Sequence, residues 1–333
     1  MKRNRSSVVS GLGLLTSVII SFGLVWQPDF AQASCVPPPS GLVAWWPGEG
    51  NANDIISGDN GTLTNGAAFA AGEVGQGFSF STDHAGILLG NPTDLQLQEF
   101  TIEAWIRRGS TSVVTTDPTA YVDPIFGAVG FIFGFGHGGY ALELTDSAGG
   151  AFLTFEEVDL GSGFTGPVIS DTNFHHVALT MNAPEAVYYV DGVGNAGTCP
   201  LSPPFEFTTQ AAIGVRSDHL NGTDNRSFCG TIDELSVYNR ALSADEIAAI
   251  YAAGSAGKCR AGAPASMAID RSGGISVVGT VGATYCVQCV PDLNDTNWTT
   301  FTNIVLPQSP YRILDPDAPQ WSCRFYRVQS GGE

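Results

Sequence analysis

Between residues 42 and 238 apolar positions come in short runs broken by Gly, Asn, Asp and Pro: 42–46, 77–80, 101–106, 131–135, 140–145, 152–155, 175–181, 186–190, 211–215 and 231–238. Several runs alternate with a period of two, the signature of a strand with one face in a core. In 100–106 one face carries Phe100, Ile102, Ala104 and Ile106, and the other carries Thr101, Glu103 and Trp105. Strands at this spacing with turn residues between them predict two packed antiparallel sheets. A parallel α/β fold would need helices between the strands, and this stretch offers none.

One helix is specified, over 243–254. Ser243 is placed as its N-cap, Glu246 closes a capping box, Leu242 and Ile247 are spaced for the hydrophobic staple, and Gly254 supplies the left-handed stop. Ile247, Ile250 and Tyr251 form one apolar face, which predicts a helix docked on the sandwich. After Cys259 the pattern changes. Residues 260–273 read as a linker, and runs at 275–278, 283–290, 298–301 and 324–328 predict a second, small β module over 274–333.

Composition narrows the function classes. The 333 residues include 32 acidic and 14 basic side chains, a net charge of -18, with 41 Gly and 19 Pro. So acidic a surface argues against nucleic acid or an anionic membrane as partner. Lys2, Arg3 and Arg5 precede an apolar run over 11–26, and Ala31-Gln32-Ala33 has a small-x-small cleavage pattern. Residues 1–33 therefore read as a secretory signal peptide, with export outside the cytoplasm and no membrane insertion after cleavage. All seven cysteines lie beyond it, in a compartment where disulfides persist. Cys35–Cys259 is the expected bridge closing the ends of a domain over 34–259, since both residues flank it immediately. Cys286-Val287-Gln288-Cys289 has redox or zinc spacing but lies in a strand, so it is read as disulfide material. Cys323 would pair with one of the two (Cys289–Cys323 is the bridge adopted), leaving the other over.

Six segments carry a resemblance. They are Gly41 to Asp54 (with Leu42-Val43-Ala44-Trp45-Trp46-Pro47-Gly48-Glu49-Gly50 at its start), Gly75-Gln76-Gly77-Phe78-Ser79-Phe80, Phe100-Thr101-Ile102-Glu103-Ala104-Trp105-Ile106, Phe174-His175-His176-Val177-Ala178-Leu179-Thr180, Tyr188-Tyr189-Val190-Asp191-Gly192 and Gly230 to Ser243 (opening Gly230-Thr231-Ile232-Asp233-Glu234-Leu235). In this order they resemble laminin-G-like domains of the concanavalin A-like lectin/glucanase superfamily. The resemblance implies an all-β jelly roll of two antiparallel sheets with one short C-terminal helix, and Ca²⁺ and glycan or protein binding as common uses. It also implies a bridge near the last hairpin, Cys199–Cys229. The tail resembles, more loosely, a small β module of secreted bacterial proteins.

Candidate sites follow. Ca²⁺ takes six to eight oxygens, usually from Asp, Asn and carbonyls on Gly-rich turns. Asn51-Ala52-Asn53-Asp54 and Ser57-Gly58-Asp59-Asn60-Gly61 concentrate such oxygens, and the resemblance brings the strand of Asp233 close to the first strand. Asp54 and Asp233 are the expected ligands, with Asn53, Asp59 and Asp83 as helpers; turn-making is the competing role for these residues. Tyr121, His137, Tyr140, Arg216 and His219, in or beside Gly-rich loops, are the expected glycan contacts. Glu157-Val158-Asp159 resembles a fragment of the Glu-x-Asp-x-x-Glu motif of laminarinase-type hydrolases, but Gly161 and Ser162 stand where its second Glu belongs. His175-His176 cannot chelate together, because neighbours on a strand point to opposite faces. The sequence thus reads as a secreted, non-catalytic binding protein whose partner is an extracellular glycan or a surface protein. A structural or adhesive module is the second reading, a glycoside hydrolase the third.

Overall fold

The computed structural model describes all residues except 1–34, 119–126, 148–149, 163–165, 199–203, 261–265, 270–273, 280–283, 293–296, 317–319, 321–323 and 331–333. The expected signal segment therefore lies outside the described residues, and among those described no helix is long and apolar enough to cross a membrane.

Two eight-stranded antiparallel sheets face each other. The first runs Val193–Thr198, Glu185–Val190, Phe174–Asn182, Phe100–Arg108, Gly230–Tyr238, Gln76–Phe80, Ala68–Ala71, with Leu42–Trp46 also paired to Gly230–Tyr238. The second runs Gly161–Ser162, Gly150–Glu157, Tyr140–Ser147, Val129–Gly134, Ala211–Ile213, Gly86–Gly90, Thr62–Thr64, with Val168–Ile169 on Gly150–Glu157. This is the expected jelly-roll sandwich. Phe100, Ile102, Ala104 and Ile106 pack between the layers with Trp46, Phe78, Phe133, Leu142, Phe155 and Leu179, all essentially without solvent contact.

The other face of Phe100–Arg108 is buried as well, and a single bulge explains how. Opposite this strand the register of Gly230–Tyr238 shifts between Asp233 and Ser236, where Glu234 has φ 56°. A bulge inserts an extra residue and re-aims side chains. Ile232 before it and Leu235 and Val237 after it all reach the core, although their spacing changes parity. Asp233 and Glu234 are thereby both left for the outside of the first sheet.

The helix Ala244–Ala253 covers that outside. Its capping box forms as expected, with Ser243 Oγ accepting from Glu246 N and the Glu246 carboxylate accepting from Ser243 N. Leu242, Ile247 and Ile250 pack on Ala178, Tyr189 and Tyr238. Tyr251 departs from the expected packed face: it is 38% exposed, with its ring 5.8 Å from that of Trp105. Cys35–Cys259 is formed (Cα–Cα 5.0 Å) and joins the two ends of the domain.

Two other bridges do not match. Cys229 is a free thiol, half-buried with its sulfur against Gly109, so Cys199–Cys229 is not made; Cys199 itself lies outside the described residues. Cys289 is also free, its sulfur 3.0 Å from Arg324 Nη2, so neither is Cys289–Cys323, whose second member is likewise not described. Cys286 is free too.

In the C-terminal segment two three-stranded sheets form: Ser266–Ile269, Gly274–Val278, Tyr311–Leu314, and Thr299–Val305, Thr284–Val290, Phe325–Ser330. The first strand falls inside the expected linker, because Met267 joins the apolar cluster of Ile275, Val277, Tyr285, Val287 and Leu306.

Candidate functional site

Where the second sheet ends, the chain leaves Ala211–Ile213 and folds over residues 214–225 into a polar loop. Arg216 is its centre. The side chain is 1% exposed, and its guanidinium clamps two carboxylates bidentately: Nε and Nη2 donate to Asp218 (2.8 and 3.1 Å), Nη1 and Nη2 to Asp159 (2.8 and 2.5 Å). Nη1 also reaches Asp224 at 3.2 Å. Burial works to raise the pKa of Asp218, but Arg216 and the His137 backbone N–H override it and hold the carboxyl at about 2. Asp159 is held low by the same guanidinium and by His137, again against its burial. Charge-assisted, planar pairs of this kind fix geometry well.

The clamp shapes a hollow of about 580 Å³ lined by Gln210 and residues 217–223. Ser217 Oγ donates to Gln210 O, and Arg216 N donates to Asn225 O (2.8 Å), which closes the base of the loop. His219 Nδ1 lies 2.7 Å from Thr223 O, so the ring carries its proton there and leaves Nε2 as an acceptor. Gln210, Ser217, Asn221 and Thr223 add amide and hydroxyl groups. His137 stands beside the hollow, its side chain 57% exposed, with its N–H on Asp218 Oδ2 and Nδ1 on Asp159 Oδ2 (3.0 and 3.1 Å). Gly136 makes this approach possible, because a Cβ there would collide with the Asp218 carboxyl. The surface is rich in neutral donors and acceptors, and its one buried cation is already spent on carboxylates. It suits a ligand made of hydroxyl groups.

Of the five expected glycan contacts, His137, Arg216 and His219 converge here, Arg216 as the organiser beneath the surface. Tyr140 does not. It is fully buried, stacked on Phe100 at 4.2 Å, with its hydroxyl donating to Leu95 O (2.7 Å), because alternation along Tyr140–Ser147 turns it into the core. Tyr121 lies outside the described residues.

The expected Ca²⁺ ligands are engaged otherwise. Asp54 accepts the N–H groups of Trp45 and Ile56 on Oδ1 (2.8 and 3.0 Å) and of Ser57, Gly58 and Asp59 on Oδ2 (3.1 to 3.2 Å), besides the Ser57 hydroxyl. Its lone pairs organise an Asx-type turn, which leaves none for a cation. Asn53 N donates to Asn51 Oδ1, and Asp59 accepts from Ser57 Oγ (both 2.9 Å). Asp233 accepts from Val74 N on Oδ2 (2.9 Å), its Oδ1 is buried with no partner among the described residues, and burial pushes the carboxyl up to about 8. Asp83 accepts from Asn225 Nδ2 (3.0 Å) and lies 3.3 Å from His84 Nε2. These residues do not fit a metal cage, and among the described residues no group of three or more His, Cys, Asp or Glu has that arrangement.

The acid pattern also differs. Gly150–Glu157 ends before Asp159, which turns back with φ 66°, so Glu157 and Asp159 do not share a strand face. An acid pair that the sequence did not single out is Glu143 and Glu156, on the outer face of neighbouring strands and both on Arg226 Nη1 (2.8 and 2.6 Å). Burial pushes Glu143 up, and Glu156 adds to this against the pull of Arg226. The alternation in Tyr140-Ala141-Leu142-Glu143-Leu144 was the available signal. His175 and His176 do point apart, to Asp171 and Asp191 in one case and to buried Glu103 in the other.

A family model of laminin-G type, described as concanavalin A-like lectin/glucanases superfamily, matches residues 81–248. No curated protein matches by sequence. Among solved structures, domain 4 of AbnA, a GH43 extracellular arabinanase from Geobacillus stearothermophilus in complex with arabinotriose, is similar at 20% identity and a TM-score of 0.48, over 62% of this chain and 96% of that one. The binding domain of Paraclostridial Mosquitocidal Protein 1 gives 13% and 0.46, over 72% of this chain and 63% of its own length. Trypanosoma rangeli sialidase in complex with sialic acid gives 18% and 0.47, over 66% of this chain and 36% of the sialidase.

Proposed function

The chain belongs to the concanavalin A-like lectin/glucanases superfamily, and on that premise we propose that it is an exported, non-catalytic glycan-binding protein that holds a neutral oligosaccharide in the hollow of Gln210 and residues 217–223. The observation that carries this reading is the hollow itself: amide, hydroxyl and imidazole groups held in place by a buried arginine–aspartate clamp. A preorganised polar surface of this kind loses little entropy when it binds hydroxyl groups. His219 Nε2 and Asn221 make direct hydrogen bonds to the sugar, and His137 closes one side.

The acids support a non-catalytic reading. Hydrolysis needs two carboxyl groups about 5–9.5 Å apart on either side of the scissile bond. Glu143 and Glu156 instead share one guanidinium nitrogen, and Asp159 is spent on Arg216. Binding without Ca²⁺ is the reading favoured, since the oxygens of Asp54, the first candidate ligand, are used by turn N–H groups. Export is supported by the signal-like start and by the Cys35–Cys259 bridge.

The test is calorimetric titration of the mature chain with a panel of neutral oligosaccharides, with and without Ca²⁺. At least one member should bind the wild type, with the same affinity in a chelator, and release no reducing sugar. His219→Ala and Asn221→Ala should each weaken it by roughly tenfold, the worth of one or two hydrogen bonds. Binding that survives both substitutions unchanged would place the ligand elsewhere.

A further inference from the structure

A second cleft lies on the outside of the first sheet, at the end of the helix. Its volume is about 390 Å³, and it is lined by Glu73, Trp105, Phe174, Asp191, Tyr251, Ala252 and Gly254. None of these side chains is basic and none is a neutral amide. The lining is three aromatic rings, two carboxylates and the backbone of a helix end.

Three independent features of this lining favour positive charge. The first is the π surface. Trp105 and Tyr251 lie 5.8 Å apart, with the buried His176 ring against both at 5.3 and 6.5 Å. Electron-rich faces attract cations most strongly where water is excluded. The wall already does this internally: the Arg107 guanidinium, anchored on Thr231 Oγ1, stands 4.7 Å over the Phe174 ring. The second is the helix. Ala252 and Gly254 belong to the C-terminal end of a ten-residue helix that has acidic residues in its first turn and no basic residue in its last. The negative end of its dipole is thus uncompensated at the cleft. The third is the carboxylates. Glu73 lines the cleft and makes no ion pair among the described residues, Arg260 being taken by Glu49 and Glu234. Asp191 and Asp171 share one imidazole, His175 (2.8 and 3.0 Å), so even with that ring protonated a negative charge is left over. Behind the wall His176 Nε2 faces Glu103 at 3.2 Å, while its buried Nδ1 has no partner. A neutral sugar needs amide or guanidinium donors as well as acceptors, and here the side chains offer chiefly acceptors.

We propose that this cleft binds an organic cation, an alkylammonium group on a small body, independently of the glycan hollow. The chain cannot fill it with its own lysine: beyond residue 33 its only one is Lys258, which is buried in an ion pair with Glu103.

The experiment titrates the mature chain with choline and with 3,3-dimethyl-1-butanol, its uncharged isostere. A second arm uses glucosamine against glucose, which distinguishes an amino sugar from a quaternary ammonium as the source of the charge. Choline or glucosamine should bind at least tenfold more tightly than its uncharged counterpart. Glu73→Gln and Tyr251→Ala should each weaken binding by roughly tenfold, the scale of one desolvated cation–π or charge contact. Glu73→Lys should abolish it, and His219→Ala, in the other hollow, should leave it unchanged. Equal affinity for the uncharged partners, indifference to Glu73→Lys, or no binding by either cation would overturn the proposal. Circular dichroism of each variant separates lost binding from lost folding.

Discussion

The two outer faces of the sandwich are built with the same device and put it to different uses. On the first sheet Lys258 reaches Glu103 at 2.8 Å and Glu234 at 3.6 Å, Arg260 joins Glu234 and Glu49, and Trp45 Nε1 donates to Glu234. Lys258 and Arg260 flank Cys259, so this cluster fastens the returning chain to the sheet beside the bridge to Cys35. On the second sheet Arg216 and Arg226 gather Asp159, Asp218, Asp224, Glu143 and Glu156, and the segment they fasten is a loop open to solvent. Buried charge tolerates no loss of a partner. Where the cluster closes the domain, that intolerance secures the fold; where it underlies a loop, it secures the shape of the hollow proposed to bind glycan.

Each prediction tries this division. The largest effect belongs to the bridge: Cys35→Ser opens a loop with a sequence separation of 224 and should cost about 5 kcal/mol in the loop-entropy description. Denaturant melts read it directly, and the glycan hollow should remain competent below the transition. Next, Lys258→Met strands Glu103 and should cost about 3–5 kcal/mol. Arg216→Met, judged by the same melts, should cost less than half of that, because the loop can open locally and hydrate its aspartates. It should nonetheless abolish glycan binding. Equal losses of stability from the two substitutions would erase the distinction between the faces.

The pH dependence gives a smaller, signed effect. Asp233 is raised to about 8 by burial, so its favourable contribution is complete below the ordinary Asp range and lost as pH rises through about 8. Its share of the melting temperature should therefore fall from about pH 4 to about pH 8 and level off above, and Asp233→Asn should remove that decline. Glu103 runs the other way: burial works to raise it, but Lys258 and His176 override this and hold it low. Its contribution is present above the ordinary Glu range and lost on acidification. The smallest effect is the helix cap, where Ser243→Ala should cost about 1 kcal/mol and leave both clefts intact.

Much of this was legible in the chain. The alternation of 100–106 named the core face correctly, and Ser243 with Glu246 announced the helix, because caps and periodicity are local. The outer face misled for a nonlocal reason: Glu103 and Trp105 look like a solvated side until the helix and Lys258 arrive from more than 140 residues away. The bulge at Glu234 needs a left-handed backbone at a residue that seldom adopts one, and nothing nearby signals it. Asp54 was singled out for its oxygens, and in the fold those oxygens accept turn N–H groups, the competing role that the same residue types signal equally well. His137, Arg216 and His219 were found as residues, but their meeting depends on Asp159 and Asp218, which the sequence did not connect to them. Cys229 and Cys289 were expected in bridges, but both are free thiols, because cysteine content and order along the chain do not report which sulfurs meet.

The central proposal is that glycan is held in the hollow over Arg216. Amide chemical shifts of the mature chain, recorded while the best-binding neutral oligosaccharide is added, test this most directly. Saturable shifts should concentrate at Gln210, residues 217–223 and His137, and disappear in His219→Ala. Shifts centred on any other face, or unchanged by that substitution, would contradict it.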